Sequence, residues 1–515
     1  PRVRHRLHRA PQARGEGSRG GHLWPDPNLA YVNAGSGRPG YEELAALVVC
    51  QAEVIEELRG RVVELEGEVA ELRARLSQNS RNSSRPPSWD GYAKPPAPRS
   101  LRRPSGRRPG GQAGHEGHHL ERVEHPDEVI GYSPARCTRC GSDLADADVV
   151  GVRARQVFDL PVVALAVTEH RAEDRRCGCG VVTGAAFPGG VAAPAQYGPR
   201  LRSLALYLIV YQHLPYERAA RLLSDCLGAT ISTGTLHAIV ERAGGELDEF
   251  CERVRANLLE APVIHVDETG ARSQGRTRWV HSASSQRLTL YRLHDRRGMD
   301  GIDHLGVLGH YRGVAVHDGW ATYRKYRRPT HALCNVHHLR ELQGAIERDP
   351  DTQTWAQQMD ELLRELKDTV ERAKARGESA LEAGTLEAYP RRYEQVIALG
   401  HRQNPPPTQR TGKRGPIGRS MTANLHRRLD EHRDEVLLFA HDFRVPFDNN
   451  LAERDLRMIK LQQKISGSWR TITGAQRFLA LRSYTSTTRK HGHDLLDALR
   501  QIVDRNPWLP AAGET

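Results

Sequence analysis

Long apolar runs are missing from this sequence of 515 residues. A helix that spans a bilayer needs about 20 consecutive apolar residues, and no signal-peptide pattern opens the chain. We therefore expect a soluble cytoplasmic protein with no membrane partner. The first residue is Pro1 rather than Met, which suggests a fragment or a processed start.

Glycine-rich phosphate loops and a Ser-His-Asp arrangement are also missing, which argues against P-loop nucleotide enzymes and serine hydrolases. What is present is basic, with 75 Lys and Arg against 63 Asp and Glu and a formal charge of +12. Residues 91–115 contain six Lys or Arg and no acid. This stripe favours a polyanionic partner such as DNA, and the alternative is a solvated basic linker. The candidate phosphate contacts within it are Arg102, Arg103, Arg107 and Arg108.

A heptad repeat follows the first 40 residues, which are rich in Arg, Gly and Pro and are predicted to be disordered. The repeat lies in residues 41–79 and has β-branched residues at most a positions and Leu at most d positions, the pattern of a parallel two-stranded coiled coil. Its a positions are Val48, Ile55, Val62, Val69 and Leu76, and its d positions are Leu44, Gln51, Leu58, Leu65 and Leu72. We expect a homodimer or higher oligomer. The alternative is an amphipathic helix that packs on its own domain.

Two close pairs of cysteines lie in residues 126–190, after a basic Pro/Gly-rich linker at 80–125. Cys137 and Cys140 have C-x2-C spacing, and Cys177 and Cys179 have C-x-C spacing, with a strand-like stretch at 157–167 between the pairs. Four thiolates in two pairs suit one structural Zn²⁺. The alternatives are unrelated buried thiols or disulfides, and the latter are disfavoured in a cytoplasmic protein.

The other cysteines, Cys50, Cys226, Cys251 and Cys334, stand alone and are interpreted as small buried apolar residues. Residues 191–258 have helical periodicity, with one helix that ends at Gly228 and another that starts near Ser232 or Thr233. This is the outline of a helix-turn-helix for DNA, and a plain helical bundle is equally compatible with it.

Short strands begin at Pro262, and two of them end in an acid. Asp267 closes the strand at 263–267, and Asp318 closes the strand at 314–318. Acids at the ends of adjacent buried strands repel each other unless a cation lies between them. Carboxylate oxygens are the ligands that Mg²⁺ or Mn²⁺ prefers. Glu453, in DNNLAERDLR at 448–457, is the third candidate ligand, on a helix that Asp448 and the asparagines can cap.

Two metal ions held by Asp267, Asp318 and Glu453 would support phosphodiester displacement without a protein nucleophile. A helical insertion at 346–440 separates the two parts of this core, 259–345 and 441–505, and 506–515 form a tail. Basic and aromatic residues after Glu453 suit a DNA end, with Trp469, Phe478 and Tyr484 between the charges. The basic candidates are Arg454, Arg457, Lys460, Lys464 and Arg470.

A second set of ligand-like residues lies in ALCNVHHLREL at 332–342. Cys334, His337 and His338 have the chemistry of zinc ligands, but no second thiol lies nearby. We favour a structural or substrate-backbone role for them.

Several stretches in this order resemble the bacterial transposases of the insertion sequence 66 family, of the DDE group, from about residue 44 to 505. They are the heptad repeat followed by SQNSRNSSRPPS at 77–88, RRPGGQAGHEGH at 107–118, the paired cysteines, HVDETG at 265–270, HDGWATY at 317–323 and DNNLAERDLR. The stretch CNVHHLREL departs from the family, which commonly has a Trp and a single His there.

The resemblance implies a multidomain α/β protein whose RNase H-like catalytic domain holds Asp267, Asp318 and Glu453 around two Mg²⁺ ions. It also implies cleavage and strand transfer at the terminal inverted repeats of a mobile element, on double-stranded nucleoid DNA. Two alternatives stay open. One is a dimeric zinc-containing DNA-binding protein that has lost catalysis, and the other is an RNase H-like nuclease without strand transfer.

Overall fold

The computed structural model describes residues 40–79, 81–83, 114, 116, 120–161, 163–405 and 420–515. The chain divides into two compact units between Ser77 and Gln78. The predicted disorder of the N-terminal segment lies outside the described residues, and so do the four arginines Arg102, Arg103, Arg107 and Arg108. Within the described ranges, no helix has the length and hydropathy to cross a bilayer.

The first unit contributes one unbroken helix, α1 (Tyr41–Leu76). It coincides with the predicted heptad repeat. The apolar side chains at a and d are open to solvent within this chain, from 44% exposed at Val69 to 87% at Leu76. The helical prediction is confirmed, and the coiled-coil pairing stays a prediction.

The cysteine region has little regular structure. Two short antiparallel strands, β1 (Asp174–Arg176) and β2 (Val182–Gly184), are its regular elements in the described residues. The strand predicted at 157–167 is wrong, because the described residues of that stretch have no ladder partner and Val157, Leu160 and Val167 are exposed. A β-branched composition alone does not form a strand without a neighbour to pair with.

Five helical segments follow, and they include the predicted helix-turn-helix outline. They are α2 (Pro199–Leu206), a π-helical turn (Tyr207–Tyr211), α3 (Tyr216–Leu227), α4 (Thr233–Gly245) and α5 (Asp248–Glu260). Helix α3 ends at Gly228, which takes the left-handed conformation at φ 66°. Ser232 caps α4 by accepting the Thr235 N–H at 3.1 Å. Both predicted boundaries are confirmed.

A mixed five-stranded sheet forms the centre of the second unit, in the order β5-β4-β3-β6-β7. Its strands are β3 (Val263–Ser273), β4 (Arg276–Ser284), β5 (Thr289–His294), β6 (Val314–His317) and β7 (Thr330–Leu333). The first three pair antiparallel, whereas β6 runs parallel to β3 and β7 parallel to β6. Strand β3 is longer than predicted, so Asp267 lies within the strand and does not close it.

Helices cover both faces of the sheet. Side chains alternate along each strand, so neighbouring residues of a strand face different cores. Ala315 packs into one core with helices α2–α5, whereas Val314 and Val316 face a second core. In the chain, helix α6 (Met299–Leu305) comes before β6 and a 3₁₀ turn (Tyr323–Lys325) comes after it. The helices of the second core are α7 (Asn335–Arg348), α8 (Thr354–Ala375), α9 (Ala383–Gln403), α10 (Met421–Glu431) and α11 (Arg433–His441).

Three helices complete the fold: α12 (Asn450–Ser466), α13 (Ile472–Lys490) and α14 (Leu495–Val503). The aromatic residues that were predicted to grip DNA, Trp469, Phe478 and Tyr484, are buried in the first core. Tyr484 packs edge-on against Phe250 at 4.9 Å between ring centroids. That prediction is wrong, since the hydrophobic gain from burying these rings keeps them away from any partner.

Candidate active site

The parallel pairing of β3 and β6 brings two of the predicted acids to the same level of the sheet. His265 pairs with Val316. Continuing this register by two residues sets Asp267 beside Asp318, which directly follows β6. Two carboxylates, one on β3 and one directly after β6, are therefore neighbours at the C-terminal end of β6, as the sequence predicts.

Burial and mutual repulsion act on both aspartates. Burial raises the pKa of Asp267 well above its usual range, and the charges of Glu268 and Asp318 raise it further. Burial also raises the pKa of Asp318. Two backbone groups work in the opposite direction, because the Glu268 N–H donates to Asp267 and the Trp320 N–H donates to Asp318, each at 2.8 Å. A cation between the carboxylates would relieve the repulsion.

Glu268 is a further buried carboxylate beside these aspartates, and the sequence did not predict it as a site residue. Its side chain is 2% exposed and pairs with Arg297 at 2.6 Å. The Tyr323 hydroxyl also donates to it. Arg297 in turn lies over the rings of Trp320, at 4.3 Å, and Trp279, at 5.1 Å. Because burial and the Asp318 charge still raise the pKa of Glu268, this network only partly neutralises the acids.

Asn449 fixes the start of α12 against the sheet. It is the N-terminal flanking residue of the helix, but its side chain makes no capping hydrogen bond. Its amide instead contacts His265 Nδ1 at 2.9 Å and donates to the Val266 carbonyl at 3.1 Å. The capping prediction holds for Asp448, which accepts the Asn450 N–H at 3.0 Å, and is wrong for Asn449.

Glu453 lies one turn after Asn449 and shares its helix face, because residues four apart on a helix are neighbours. Its Oε1 is 3.8 Å from His337 Nε2 and 3.9 Å from an Arg340 guanidinium nitrogen. Burial raises the pKa of Glu453, and Arg340 offsets part of that effect. Burial lowers the pKa of His337 to about 3, so its contact with Glu453 joins a neutral imidazole to the acid. Glu453 Oε1 is buried without a hydrogen-bond partner.

The three predicted acids therefore face one region but are not gathered into one tight group. In the described part of the chain, a single set of three candidate ligands has its ligand atoms all within 4.8 Å of one another, and it consists of Cys334, His337 and Glu453. Asp267 and Asp318 do not belong to it. The charges of Asp318 and Glu453 nevertheless both act on the pKa of Asp267.

The basic residues predicted after Glu453 form a ridge on α12. Arg457, Lys460 and Lys464 follow Glu453 at helical spacing along one face. Arg454, Arg457, Lys464 and Arg470 are exposed, and Lys460 is half-buried. Asp455 lies on the other side of the helix, where its carboxylate is 3.2 Å from Lys490 Nζ.

The paired cysteines lie on two similar tight turns. The Cys137 N–H donates to the Ser142 carbonyl at 2.9 Å, and the Cys177 N–H donates to the Val181 carbonyl at 2.8 Å. Gly141 and Gly180 close these turns with φ of 76° and 92°. A 3.2 Å contact with the Ser142 hydroxyl lowers the pKa of the Cys140 thiol to about 7.

These four cysteines are not buried, so the alternative of unrelated buried thiols is wrong. The four thiols do not form one tight group in the described structure. Among the isolated cysteines, burial is confirmed for Cys251 and Cys334 and is wrong for Cys50 and Cys226, which are exposed.

Comparison with protein families assigns the chain. The family model described as Transposase IS66 family matches residues 194–477, more than half of the chain. The chain belongs to the IS66 transposase family. The matched range of this IS66 transposase contains Asp267, Asp318 and Glu453 together with Glu268 and Asn449.

A second model, for a family of unknown function (DUF6444), matches residues 39–121, which include α1 and the basic linker. A comparison with curated proteins found no match. The paired cysteines of the IS66 transposase lie between the two matched ranges.

Two residues of the site, Glu268 and Asn449, had weak signals in the sequence. Glu268 stands in the stretch HVDETG, but strict alternation along a strand predicts that it faces away from Asp267. The stretch DNNLAER contains two adjacent asparagines, whereas one residue is enough to cap a helix. Both roles depend on partners that are distant in the sequence, Arg297 for Glu268 and His265 for Asn449.

Proposed function

We propose that this IS66-family protein is a DDE-type transposase whose catalytic acids are Asp267, Asp318 and Glu453. The observation that carries the proposal is that acids from β3, from the end of β6 and from α12 act on one another electrostatically, although the Glu453 side chain is 30% exposed. Burial raises the pKa of all three, and the charges of Asp318 and Glu453 raise that of Asp267. Such an arrangement is unfavourable unless cations are bound.

The donor set fits Mg²⁺ or Mn²⁺, which prefer carboxylate oxygens and keep positions for water and substrate phosphate. The buried Oε1 of Glu453, which has no hydrogen-bond partner, supports this fit. Asp267, Asp318 and Glu453 would hold the ions, two in each site. When bound, such a pair activates the attacking oxygen and stabilises the leaving 3′-oxygen of a phosphodiester.

The other residues of the site orient the acids. Asn449 holds the first turn of α12 against His265 and so limits the movement of Glu453. Glu268 and Arg297 add an ion pair whose half-exposed guanidinium also lowers the pKa of Asp318. The mixed order of the sheet, with Asp267 on the central strand β3 and Asp318 directly after the neighbouring strand β6, supports an RNase H-like core.

DNA binding is proposed for three regions. The ridge of Arg457, Lys460 and Lys464 leads away from Glu453 along α12, with Arg454 and Arg470 exposed nearby, and can follow a phosphate backbone. The exposed side of α4 can enter a groove of the inverted repeats. The third region is the linker in the sequence, with Arg102, Arg103, Arg107 and Arg108 as candidate phosphate contacts.

Two further features of the proposal concern assembly. The exposed a and d residues of α1 suit a second copy of the same helix, which makes the transposase a homodimer or higher oligomer. The similar turns at Cys137 and Cys177 support a shared structural Zn²⁺ held with Cys140 and Cys179.

Strand cleavage tests the proposal directly. The purified protein is incubated with Mg²⁺ and end-labelled duplexes from both flanks of its gene, and nicks are mapped. We expect Asp267→Asn, Asp318→Asn and Glu453→Gln each to slow cleavage about 1,000-fold, or about 4 kcal/mol of transition-state stabilisation. Gel-shift affinity should stay within about threefold, because phosphate contacts dominate binding.

The matched control is Asp434→Asn, which removes an acid that is 96% exposed and should leave cleavage unchanged. Wild-type cleavage by any one of the three variants contradicts the triad. Nicking without joining to a target plasmid would indicate a nuclease without strand transfer. Mg²⁺-independent binding without nicks would indicate a DNA-binding protein.

A further inference from the structure

Cys334, His337 and Glu453 form a mixed group of ligand atoms beside the proposed catalytic acids. Cys334 follows β7 at the start of α7, His337 lies one turn later, and Glu453 approaches from α12. One ligand atom from each lies within 4.8 Å of the other two. We call these three residues the Cys334 group.

We infer that the Cys334 group binds a thiophilic divalent cation of the Zn²⁺ class. Sulfur, imidazole nitrogen and carboxylate oxygen are the three kinds of donor that zinc accepts, and three protein ligands leave a fourth position open for water or substrate. Mg²⁺ avoids sulfur and imidazole in proteins, so this group differs in chemistry from the all-carboxylate set.

The geometry needs only a small adjustment. Zinc bond lengths of about 2.0–2.3 Å bring tetrahedral ligand atoms to about 3.5 Å from one another. His337 Nε2 and Glu453 Oε1 are already 3.8 Å apart. The buried Glu453 Oε1 also has no hydrogen-bond partner, which leaves it free to accept a cation.

The surroundings hold Cys334 in place for this role. Its sulfur accepts the Asn449 N–H at 3.1 Å, and the same asparagine contacts His265. A sulfur that accepts a backbone N–H can bind a metal at the same time, since such outer hydrogen bonds orient ligands in metal sites. Arg340 lies 3.9 Å from Glu453 Oε1, so its guanidinium partly neutralises this carboxylate, as a bound cation would.

The two cation sites share Glu453. A Zn²⁺-class ion in the Cys334 group would therefore withdraw this carboxylate from Asp267 and Asp318 and inhibit Mg²⁺-dependent cleavage. This inhibition rests on the proposed function. Binding to the Cys334 group does not, and it is measured without DNA.

Cadmium titration of the full-length, metal-stripped protein tests the inference. Cd²⁺ is thiophilic, and sulfur-to-cadmium absorbance reports its binding to thiolates. The paired cysteines also bind Cd²⁺, so the informative quantity is the difference between variants. We expect Cys334→Ser to bind one Cd²⁺ fewer per chain than wild type, in the presence of excess Mg²⁺. The control is Cys251→Ser, which removes another buried cysteine that belongs to no ligand group in the described structure and should bind as wild type does.

Two more variants protect the test against misfolding. His337→Gln leaves Cys334 and its hydrogen bond intact and should weaken the same Cd²⁺ site at least about tenfold, a typical loss when one metal ligand or its support is removed. Arg340→Met removes the competing charge and should tighten that site about tenfold or more, a gain that a purely structural role of Arg340 would not produce.

The inference is overturned if Cys334→Ser and His337→Gln both bind Cd²⁺ with wild-type stoichiometry and affinity. If Cys334→Ser does not fold, His337→Gln decides. A protein that never cleaves DNA but loses Cd²⁺ in these variants would contradict the proposed function and leave the Cys334 group supported.

Discussion

Two regions of this transposase carry candidate metal ligands, and they differ in what surrounds them. Asp267 lies on a central strand of a sheet that helices cover on both faces, and burial dominates its pKa. The cysteine region has no buried residue from 120 to 161 or from 163 to 202. Val150 and Leu160 are 101% and 86% exposed there.

Under the proposed function, the two regions would use a metal ion in different ways. The acids are positioned by a hydrophobic core that exists without the ion, so repulsion among them is imposed by the fold. The cysteine region has no core of its own in the described residues. The proposed Zn²⁺ would supply order there as a cross-link, as it does in small metal-binding modules. Three perturbations separate these cases.

Zinc removal should have the largest effect, and only on the cysteine region. Structural Zn²⁺ contributes on the order of 10 kcal/mol to the folding of small modules. A strong chelator should therefore make residues 126–190 sensitive to proteases, while the core from 259 to 345 stays resistant. Limited proteolysis with mass spectrometry measures both.

Cys140→Ser should have the same effect without chelator. Cys226→Ser, at another exposed cysteine, is its control. Equal resistance of residues 126–190 with and without zinc would remove the proposed difference between the regions.

Loss of Asp455 should destabilise the core by about 3–5 kcal/mol, because Lys490 would be left buried without its charge partner. The two side chains are 13% and 14% exposed, and Asp455 also accepts from Ser284 at 2.7 Å. Asp455→Ala should lower the core's unfolding transition in calorimetry, whereas Asp434→Ala should not. Asp455 lies two residues after Glu453 and already has Lys490 as its charge partner. A loss below about 1 kcal/mol would show that the pair is as weak as a surface ion pair.

The smallest effect concerns pH. The pKa of Asp267 is raised in the folded protein, so the proton it retains stabilises the fold at low pH. That contribution is complete below the unfolded pKa of about 3.9 and is lost as pH rises through the folded pKa, by about 1.4 kcal/mol per unit of pKa difference. An Asn side chain at position 267 does not ionise, so the variant loses no stability at this position as the pH rises.

The Tm of metal-free Asp267→Asn should therefore increase relative to wild type as pH rises above about 4, until the folded pKa is passed. Added Mg²⁺ should reduce this difference in Tm, since the ion stabilises only the wild-type carboxylate site. Thermal melts at several pH values measure it, with Asp434→Asn as control. If the difference in Tm between the two proteins does not change with pH, the surroundings do not raise the pKa of Asp267.

Much of the architecture follows from local signals in the sequence. The heptad repeat matches α1, the glycine and serine at 228 and 232 bound α3 and α4, and the helical insertion predicted at 346–440 contains α8. The period of apolar residues and the capping residues act within a few positions, so a sequence contains them completely. The two aspartates were also predictable, because each belongs to a short β-branched stretch.

Contacts between distant residues were decided by the tertiary structure alone. Glu268 joins the acids through Arg297 and Tyr323. Asn449 leaves its expected cap to bind His265. Cys334 and His337 gain Glu453 as a neighbour from a helix more than 100 residues later in the chain. Trp469 and Tyr484 are buried where their spacing among basic residues suggested a DNA surface. The sequence determined which residue types were available to hold a metal, and packing of the sheet against α7 and α12 determined which of them meet. Burial and pairing depend on the whole fold and not on neighbours in sequence.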